Sequence, residues 1–167
     1  RIEDTDSVRS TDSATSAIFQ GLEWLDLTWD GEAVSQQNNI MRHREVVEQL
    51  IKRDMAYRCY ATQDDILDYQ SNAKMRGIST IFQSPWRDNT VGSSLNRNYV
   101  VRLRSPNVGK TSIKDRIRGN ISWKNDTLDD LILLRSDGTP TYMLAVVVDD
   151  HDMKVSHVIR GDDHLTN

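Results

Sequence analysis

The stretch that most constrains this chain is its last third, Leu133 to Asn167, which reads LLRSDGTPTYMLAVVVDDHDMKVSHVIRGDDHLTN. An apolar run, Met143 to Val148, stops abruptly at Asp149, Asp150, His151 and Asp152. A second apolar segment, Val155 to Ile159, runs into Arg160-Gly161 and then Asp162, Asp163 and His164. Buried elements that end in charged and imidazole groups are what a ligand site needs, because apolar walls lower the local dielectric and strengthen each polar contact. Polar loop residues between core elements would give the same pattern. Tyr142 to Val148 fits either a short helix beginning after Pro140 or a strand. Val155 to Ile159 reads as a parallel strand, and Gly161 onward as the helix N-terminus it leads into. Open α/β sheets hold ligands at such junctions.

Composition narrows the class. The chain has 167 residues, room for one domain or for one and part of another. It is 37% hydrophobic and 28% charged, as a soluble globular protein is. No run approaches the roughly 20 apolar residues of a membrane span, and the polar, acidic start is neither a secretory signal nor a transit peptide. No membrane association is expected. One cysteine, Cys59, excludes an internal disulfide and a cysteine-rich zinc site. A reducing, cytoplasmic setting follows most simply.

The net charge of −4 conceals a segregation. Between Arg97 and Lys124 stand eight basic residues (97, 102, 104, 110, 114, 116, 118, 124) and one acid, Asp115. Between Asn125 and His164 stand nine aspartates and three basic residues. A basic island in an acidic chain is the footprint expected of a phosphate-backbone partner; a solvated surface with no partner is the alternative.

Taken in order, Arg1 to Asp6 reads as a strand end and an acidic turn. Thr11 or Asp12 can cap a helix with Ala14, Ile18, Leu22 and Leu25 on its apolar face. Trp24 and Trp29 are expected to pack into the core at its end. A second amphipathic helix is expected over 40–53, with Val46, Val47, Leu50 and Ile51 buried. Tyr57 to Tyr60 alternates like a short strand. Thr62 with Asp64 and Asp65 marks a capped helix start, and the helix should end near Gly77. Residues 79–98 read as a long loop.

From there the pattern is β. Val101 and Leu103 alternate with Arg102 and Arg104, and Ile113 and Ile117 alternate with Lys114, Arg116 and Arg118. Residues two apart on a strand share a face, so the last three basic residues are expected to project together. Gly119-Asn120 would turn the chain back into Ile121 and Trp123. Such a surface, basic on one side, suits a nucleic-acid backbone. Leu131 to Leu134 reads as a buried strand. Gly109-Lys110-Thr111 lacks the upstream glycine of a phosphate loop, Arg104 standing there. Asp149 to Asp152 would make a poor metal site on a strand, where neighbours point apart.

Ser136 to Tyr142, Val147 to Met153 and His157 to His164 together resemble the middle of a glutamyl-tRNA synthetase, and Arg1-Ile2-Glu3-Asp4-Thr5-Asp6 resembles an earlier block of that family. The two blocks flank the remainder in the family's order. The resemblance implies an α/β fold, part of a Rossmann-like class I catalytic domain interrupted by an inserted α+β acceptor-binding domain. Its implied layout is 1–54 catalytic, 55–140 inserted and 141–167 catalytic again. It implies ATP-dependent activation of glutamate to an adenylate and transfer to the 3′ end of the glutamate tRNA. ATP enters as substrate with Mg2+, and the partners are tRNA, ATP and L-glutamate. No zinc is expected, because relatives that carry it use several cysteines.

Residue by residue, the resemblance implies that Glu3 holds the substrate amino group, Tyr142 walls the glutamate pocket and Arg160 pairs with the substrate's side-chain carboxylate. Chemistry supports the last role, since a guanidinium binds a carboxylate through two parallel hydrogen bonds and a lysine cannot. Asp163 and His164 match positions near the ATP adenosine. Arg102, Arg104, Lys114, Arg116 and Arg118 fall in the implied inserted domain as tRNA contacts.

The family's His-Ile-Gly-His and Lys-Met-Ser-Lys-Ser signatures are absent, so no catalytic residue is assigned, and the chain reads as a monomeric, inactive internal piece of a longer ligase. A standalone RNA-binding module, or a ligase that also charges glutamine tRNA with glutamate, are the alternative readings.

Overall fold

A computed structural model describes residues 1–5, 10–89 and 97–164. Asp6 and residues 90–96 of the expected long loop lie outside the described residues. The chain folds as two units, Arg1–Val46 with Thr139–Asn167, and Val47–Gly138. The first division falls inside a helix, and the second falls just before Thr139 and Pro140.

In the first unit, Ile2 makes a single parallel bridge to Ser35, through Ile2 N–H to the Val34 carbonyl (2.7 Å) and Gln36 N–H to the Ile2 carbonyl (3.1 Å). Helix α1 (Asp12–Trp24) is capped by Thr11, whose hydroxyl accepts from the Ala14 N–H. Its apolar stripe is not covered: no residue of α1 is buried. Trp24 is 84% exposed, so the expected core role is corrected, and Trp29 instead packs on Phe19 with ring centroids 5.2 Å apart. A 3-10 turn (Gln36–Asn39) leads into α2 (Ile40–Lys52).

The ambiguous run after Pro140 is a helix, α4 (Tyr142–Asp152), burying Leu144, Ala145, Val146, Val148 and Asp149. Val155 to Ile159 is corrected in turn. It is exposed and forms no strand, because no neighbouring strand among the described residues pairs with its backbone, and pairing is what makes a strand.

The second unit is built on a three-stranded antiparallel sheet in the order β1-β2-β5: β1 (Ala56–Cys59), β2 (Val100–Leu103) and β5 (Ile132–Leu134). The register pairs Tyr57 with Arg102 and Cys59 with Val100. Tyr57 and Cys59 therefore share one face, where they pack with Phe82 against Ile66 and Tyr69 of α3 (Gln63–Met75). The other face is covered as well, with Ala56, Val101 and Leu134 buried. Helix α3 opens with a capping box between Thr62 and Asp65, and Gly77 at φ 65° takes the left-handed position after its end.

One carboxylate organises the polar part of this unit. Asp130 accepts from Arg87 Nη1, from the Tyr57 hydroxyl (2.8 Å) and from the Ser105 N–H (2.9 Å), and it is 7% exposed. Burial first and the bond to Asp130 second push the Tyr57 phenol well above its ordinary range. A separate hairpin, β3 (Lys110–Asp115) and β4 (Gly119–Lys124), completes the unit. No helix among the described residues is long and apolar enough to cross a membrane.

Removing the Asp130 carboxylate should strand Arg87 and the Ser105 N–H inside the unit. Asp130→Ala is expected to lower the unfolding free energy by roughly 3–5 kcal/mol, the range for breaking a buried ion pair from one side. Urea denaturation of the variant and the parent checks this; a loss within error would remove Asp130 from its organising role.

Candidate functional site

Helix α4 carries Tyr142 at its first position and Asp149, Asp150 and Asp152 at its end. Consecutive helical residues diverge by about 100°, so these carboxylates leave the helix in three directions. Asp149 turns inward and is 1% exposed. It accepts from Asn39 Nδ2 (3.0 Å) and from His43 Nε2 (2.9 Å), and that partner sets which ring nitrogen of His43 carries the proton. Asp150 receives Arg1 Nη1. Asp152 is held by Arg42 through Nε (2.7 Å) and Nη2 (3.2 Å). Arg42, and to a smaller extent His151, keep the Asp152 carboxyl well below the usual carboxylate range.

These anchors place α4 beside a shallow cleft of about 350 Å³, lined among others by Arg1, Glu3, Asp150, His157 and Arg160. Glu3 Oε1 accepts from Arg1 Nη2 at 2.9 Å and lies 3.7 Å from Arg160 Nη2. The Arg160 guanidinium sits over the Tyr142 ring, 5.5 Å from its centroid, a cation–π arrangement. Three residues singled out in the sequence, Glu3, Tyr142 and Arg160, therefore meet at one place although they are far apart in the chain. Asp163 and His164 stand on a 3-10 turn just after Gly161 and lie 3.8 Å from one another, both with exposed side chains.

The basic island divides differently from expectation. Arg102 does not stand on an outer face. Its register opposite Tyr57 puts it on the packed side of the sheet, where it is 5% exposed, lies over Phe82 and donates to the Asp130 carbonyl (2.8 Å). Arg104 is engaged by Asp88 (2.8 Å) and Asp54 (3.1 Å) and lies over Tyr57.

Lys114, Arg116 and Arg118 do not share a strand face either. The chain turns at Arg116, Ile117 and Arg118, ahead of the expected Gly119-Asn120, with Gly119 at φ 78° closing the turn. Asp115 Oδ1 accepts from both the Ile117 and Arg118 N–H groups (2.7 Å each), a side-chain-stabilised turn that outcompetes continued strand.

The register shows which face is basic. Lys110, Ser112 and Lys114 lie opposite Lys124, Ser122 and Asn120, all on one side, and the two serine hydroxyls are 2.6 Å apart. Thr111 and Ile113 with Trp123 and Ile121 form the other side. Lys110, Lys114, Lys124 and the turn residue Arg116 are exposed.

A family model described as tRNA synthetases class I (E and Q), catalytic domain, matches residues 1–167. The chain belongs to that family. It is 56% identical over its whole length to the Glutamate--tRNA ligase 1 of Dinoroseobacter shibae and 55% identical to the Glutamate--tRNA ligase 2 of Cereibacter sphaeroides, covering 36% of each. Among solved structures it is similar to a glutamate tRNA ligase from Elizabethkingia meningosepticum in complex with its amino acid. That match has a TM-score of 0.86 and 29% identity, over 99% of this chain and 37% of the other. A glutamate-tRNA synthetase from Elizabethkingia anophelis matches with the same TM-score, 0.86. The chain thus spans little more than a third of the curated relatives it matches. The mixed helix-and-strand fold is that of class I glutamate-tRNA ligase catalytic domains, which are Rossmann-like.

For a class I synthetase domain, the residues that sequence reasoning overlooked are supporting ones: Arg1, Asn39 and His43, which hold Asp149 and Asp150. The aspartates were visible as a run, but their separate partners depend on reading that run as helix. Asn39, on the 3-10 turn that leads into α2, precedes His43 by four residues, a spacing that offered the signal.

Asp115 tests the hairpin turn. Its carboxyl sits below the usual range because the Arg118 and Ile117 N–H groups, in that order, stabilise the ionised form. A lowered folded-state value means the turn's stabilisation is present at neutral pH and is lost as pH falls through that value, below the ordinary carboxylate value of about 3.9. The amide resonances of Ile117 and Arg118 should titrate together in that acidic window, and Asp115→Ala should abolish the step. Amides that shift near the ordinary value would show the turn does not hold the carboxylate.

Proposed function

We propose that this chain is the central part of a glutamate–tRNA ligase and supplies its glutamate pocket. The observation that carries the reading is the position of Arg160, which shares a cleft with Glu3, lies 3.7 Å from its carboxylate and sits over the Tyr142 ring. Arg160 offers a planar, permanently charged fork to the substrate's side-chain carboxylate. An uncharged glutamine brings no carboxylate for that fork to bind, which selects for glutamate. Glu3 takes the substrate ammonium, Tyr142 forms the wall beneath Arg160, and Asp163 and His164 lie toward the ATP adenosine. The role of these groups is positioning and charge stabilisation of glutamate before the adenylate forms. Among the described residues no group of three or more His, Cys, Asp or Glu is arranged to hold a metal ion. Mg2+ in this reading arrives on the phosphates of ATP, and no residue of this chain is assigned to it.

The unit Val47–Gly138 is, in the same reading, the inserted domain that receives the tRNA acceptor end. Its contribution comes from the β3–β4 hairpin, with Lys110, Lys114 and Lys124 on one face and Arg116 and Arg118 at the turn. The exposure of those cations and the serine hydroxyls between them support a backbone-directed, sequence-independent contact. Arg102 and Arg104 support the domain from within. A cytoplasmic enzyme working on tRNA, ATP and glutamate as a monomer is consistent with this composition.

In the full-length protein, Arg160→Ala should raise the KM for glutamate by about tenfold or more while leaving the KM for ATP nearly unchanged. Aminoacylation kinetics with each substrate varied checks it, and an equal rise in both would remove Arg160 from the pocket. Each of Lys110→Gln, Lys114→Gln and Lys124→Gln should weaken tRNA binding and flatten the dependence of log affinity on log salt by about one unit. A slope unchanged in all three variants would place the tRNA elsewhere.

A further inference from the structure

Glu3 stands between two guanidinium groups that hold it unequally. Its Oε1 is 2.9 Å from Arg1 Nη2, a charge-assisted hydrogen bond, and 3.7 Å from Arg160 Nη2, beyond hydrogen-bond reach. Arg1 is itself tied to α4 through Asp150. The side chain of Arg1 is 13% exposed, against 38% for Glu3 and 29% for Arg160. The more buried guanidinium thus takes the carboxylate, and the more open one lies on Tyr142 at the cleft.

We propose that Arg1 and Asp150 are positioning residues that hold the Glu3 carboxylate off Arg160, keeping the Arg160 guanidinium available to a substrate carboxylate. The inference rests on the glutamate-pocket reading and deepens it. Glu3 and Arg160 are within ion-pair distance at 3.7 Å but not hydrogen-bonded, and an approach of less than the length of one bond would make the pair a direct one. Without Arg1, the cation left beside Glu3 is Arg160, and a small side-chain rotation closes the pair. A substrate carboxylate would then compete with one already tethered in the site at high effective concentration. Asp150 fixes the other end of the arrangement. Without it, Arg1 has Glu3 as its remaining partner here and can travel with it toward the cleft. Glu3 in this account has two possible roles of opposite consequence. Held by Arg1 it faces a substrate ammonium, and released it plugs the carboxylate site.

The test uses the full-length ligase and two probes, glutamate as substrate and glutarate as competitive inhibitor. Glutarate has the carboxylates of glutamate without its ammonium, so it reports access to Arg160 separately from the amino-group contact of Glu3. Arg1→Gln should raise the glutamate KM and the glutarate Ki together, by roughly fivefold or more, the scale of a partly exposed ion pair lost to a competitor. The KM for ATP should stay within about twofold. Arg1→Lys should recover part of the loss, and Asp150→Asn should shift both probes in the same direction by less.

The decisive comparison is Arg1→Gln made on top of Glu3→Gln. With no carboxylate to close on Arg160, the added substitution should leave the glutarate Ki where Glu3→Gln alone puts it. An additive loss, or an ATP KM that rises as much as the glutamate KM, would overturn the restraint and leave Arg1 an ordinary packing residue. If Arg1→Gln does not fold, as judged by its melting temperature, Arg1→Lys and Asp150→Asn carry the same comparison. A parent enzyme that responds to neither glutamate nor glutarate would overturn the glutamate-pocket reading and the restraint with it. A parent that responds while the variants match it overturns the restraint alone.

Discussion

Three carboxylates crowd the last turn of α4, at the end of a helix where the backbone dipole is already negative. Left alone, Asp149, Asp150 and Asp152 would repel one another and fray that end. Each is answered by its own partners: Asp149 by Asn39 and His43, Asp150 by Arg1, and Asp152 by Arg42. An unfavourable charge distribution in one element thereby becomes the means of fixing the others around it. The 3-10 turn Gln36–Asn39, the start of α2 and the first residues of the chain are all brought to α4 by this need. Tyr142, at the other end of the same helix, is placed as a result.

The second unit solves a similar problem with the sign reversed. Arg87, Arg102 and Arg104 are three guanidinium groups on or beside a small sheet, and long cationic side chains are costly to bury without partners. Asp130 takes Arg87 with its carboxylate and Arg102 with its carbonyl, while Arg104 is met by Asp54 and Asp88 and by the Arg87 carbonyl. Aromatic faces of Phe82 and Tyr57 cover two of the guanidinium planes. The charge of these three arginines is thus met inside the fold, whereas Lys110, Lys114 and Lys124 of the hairpin are exposed.

The sequence was legible where local chemistry decides the outcome. Thr11 and Thr62 announced their helices because a hydroxyl before a helical pattern satisfies an otherwise unpaired N–H, and Gly77 marked an end that only a positive φ could make. Glu3, Tyr142 and Arg160 were singled out through a family resemblance combined with the chemistry of a guanidinium, and their proximity depends on tertiary placement that no spacing discloses. The misses share one cause. Arg102 alternates with apolar neighbours as a surface residue would, yet its strand is central and packed on both faces, so alternation lost its meaning. Arg116 and Arg118 alternate in the same way, but Asp115 bonds two following N–H groups and ends the strand first. The apolar pattern of Val155 to Ile159 satisfies the rule for a strand without a neighbour to pair with.

The β3–β4 hairpin sets Lys110 directly opposite Lys124, a like-charge pair that works against strand association. Ionic strength therefore acts on this arm in two opposing senses. Screening relaxes the repulsion between the two ammonium groups and favours the closed hairpin, while the same screening weakens the attraction of that face for phosphates. An anion laid along the face would do for the lysines what salt does, relaxing the same repulsion. On this electrostatic ground the closed hairpin would be least favoured in dilute buffer, and its closure would be coupled to neutralisation of its own charge.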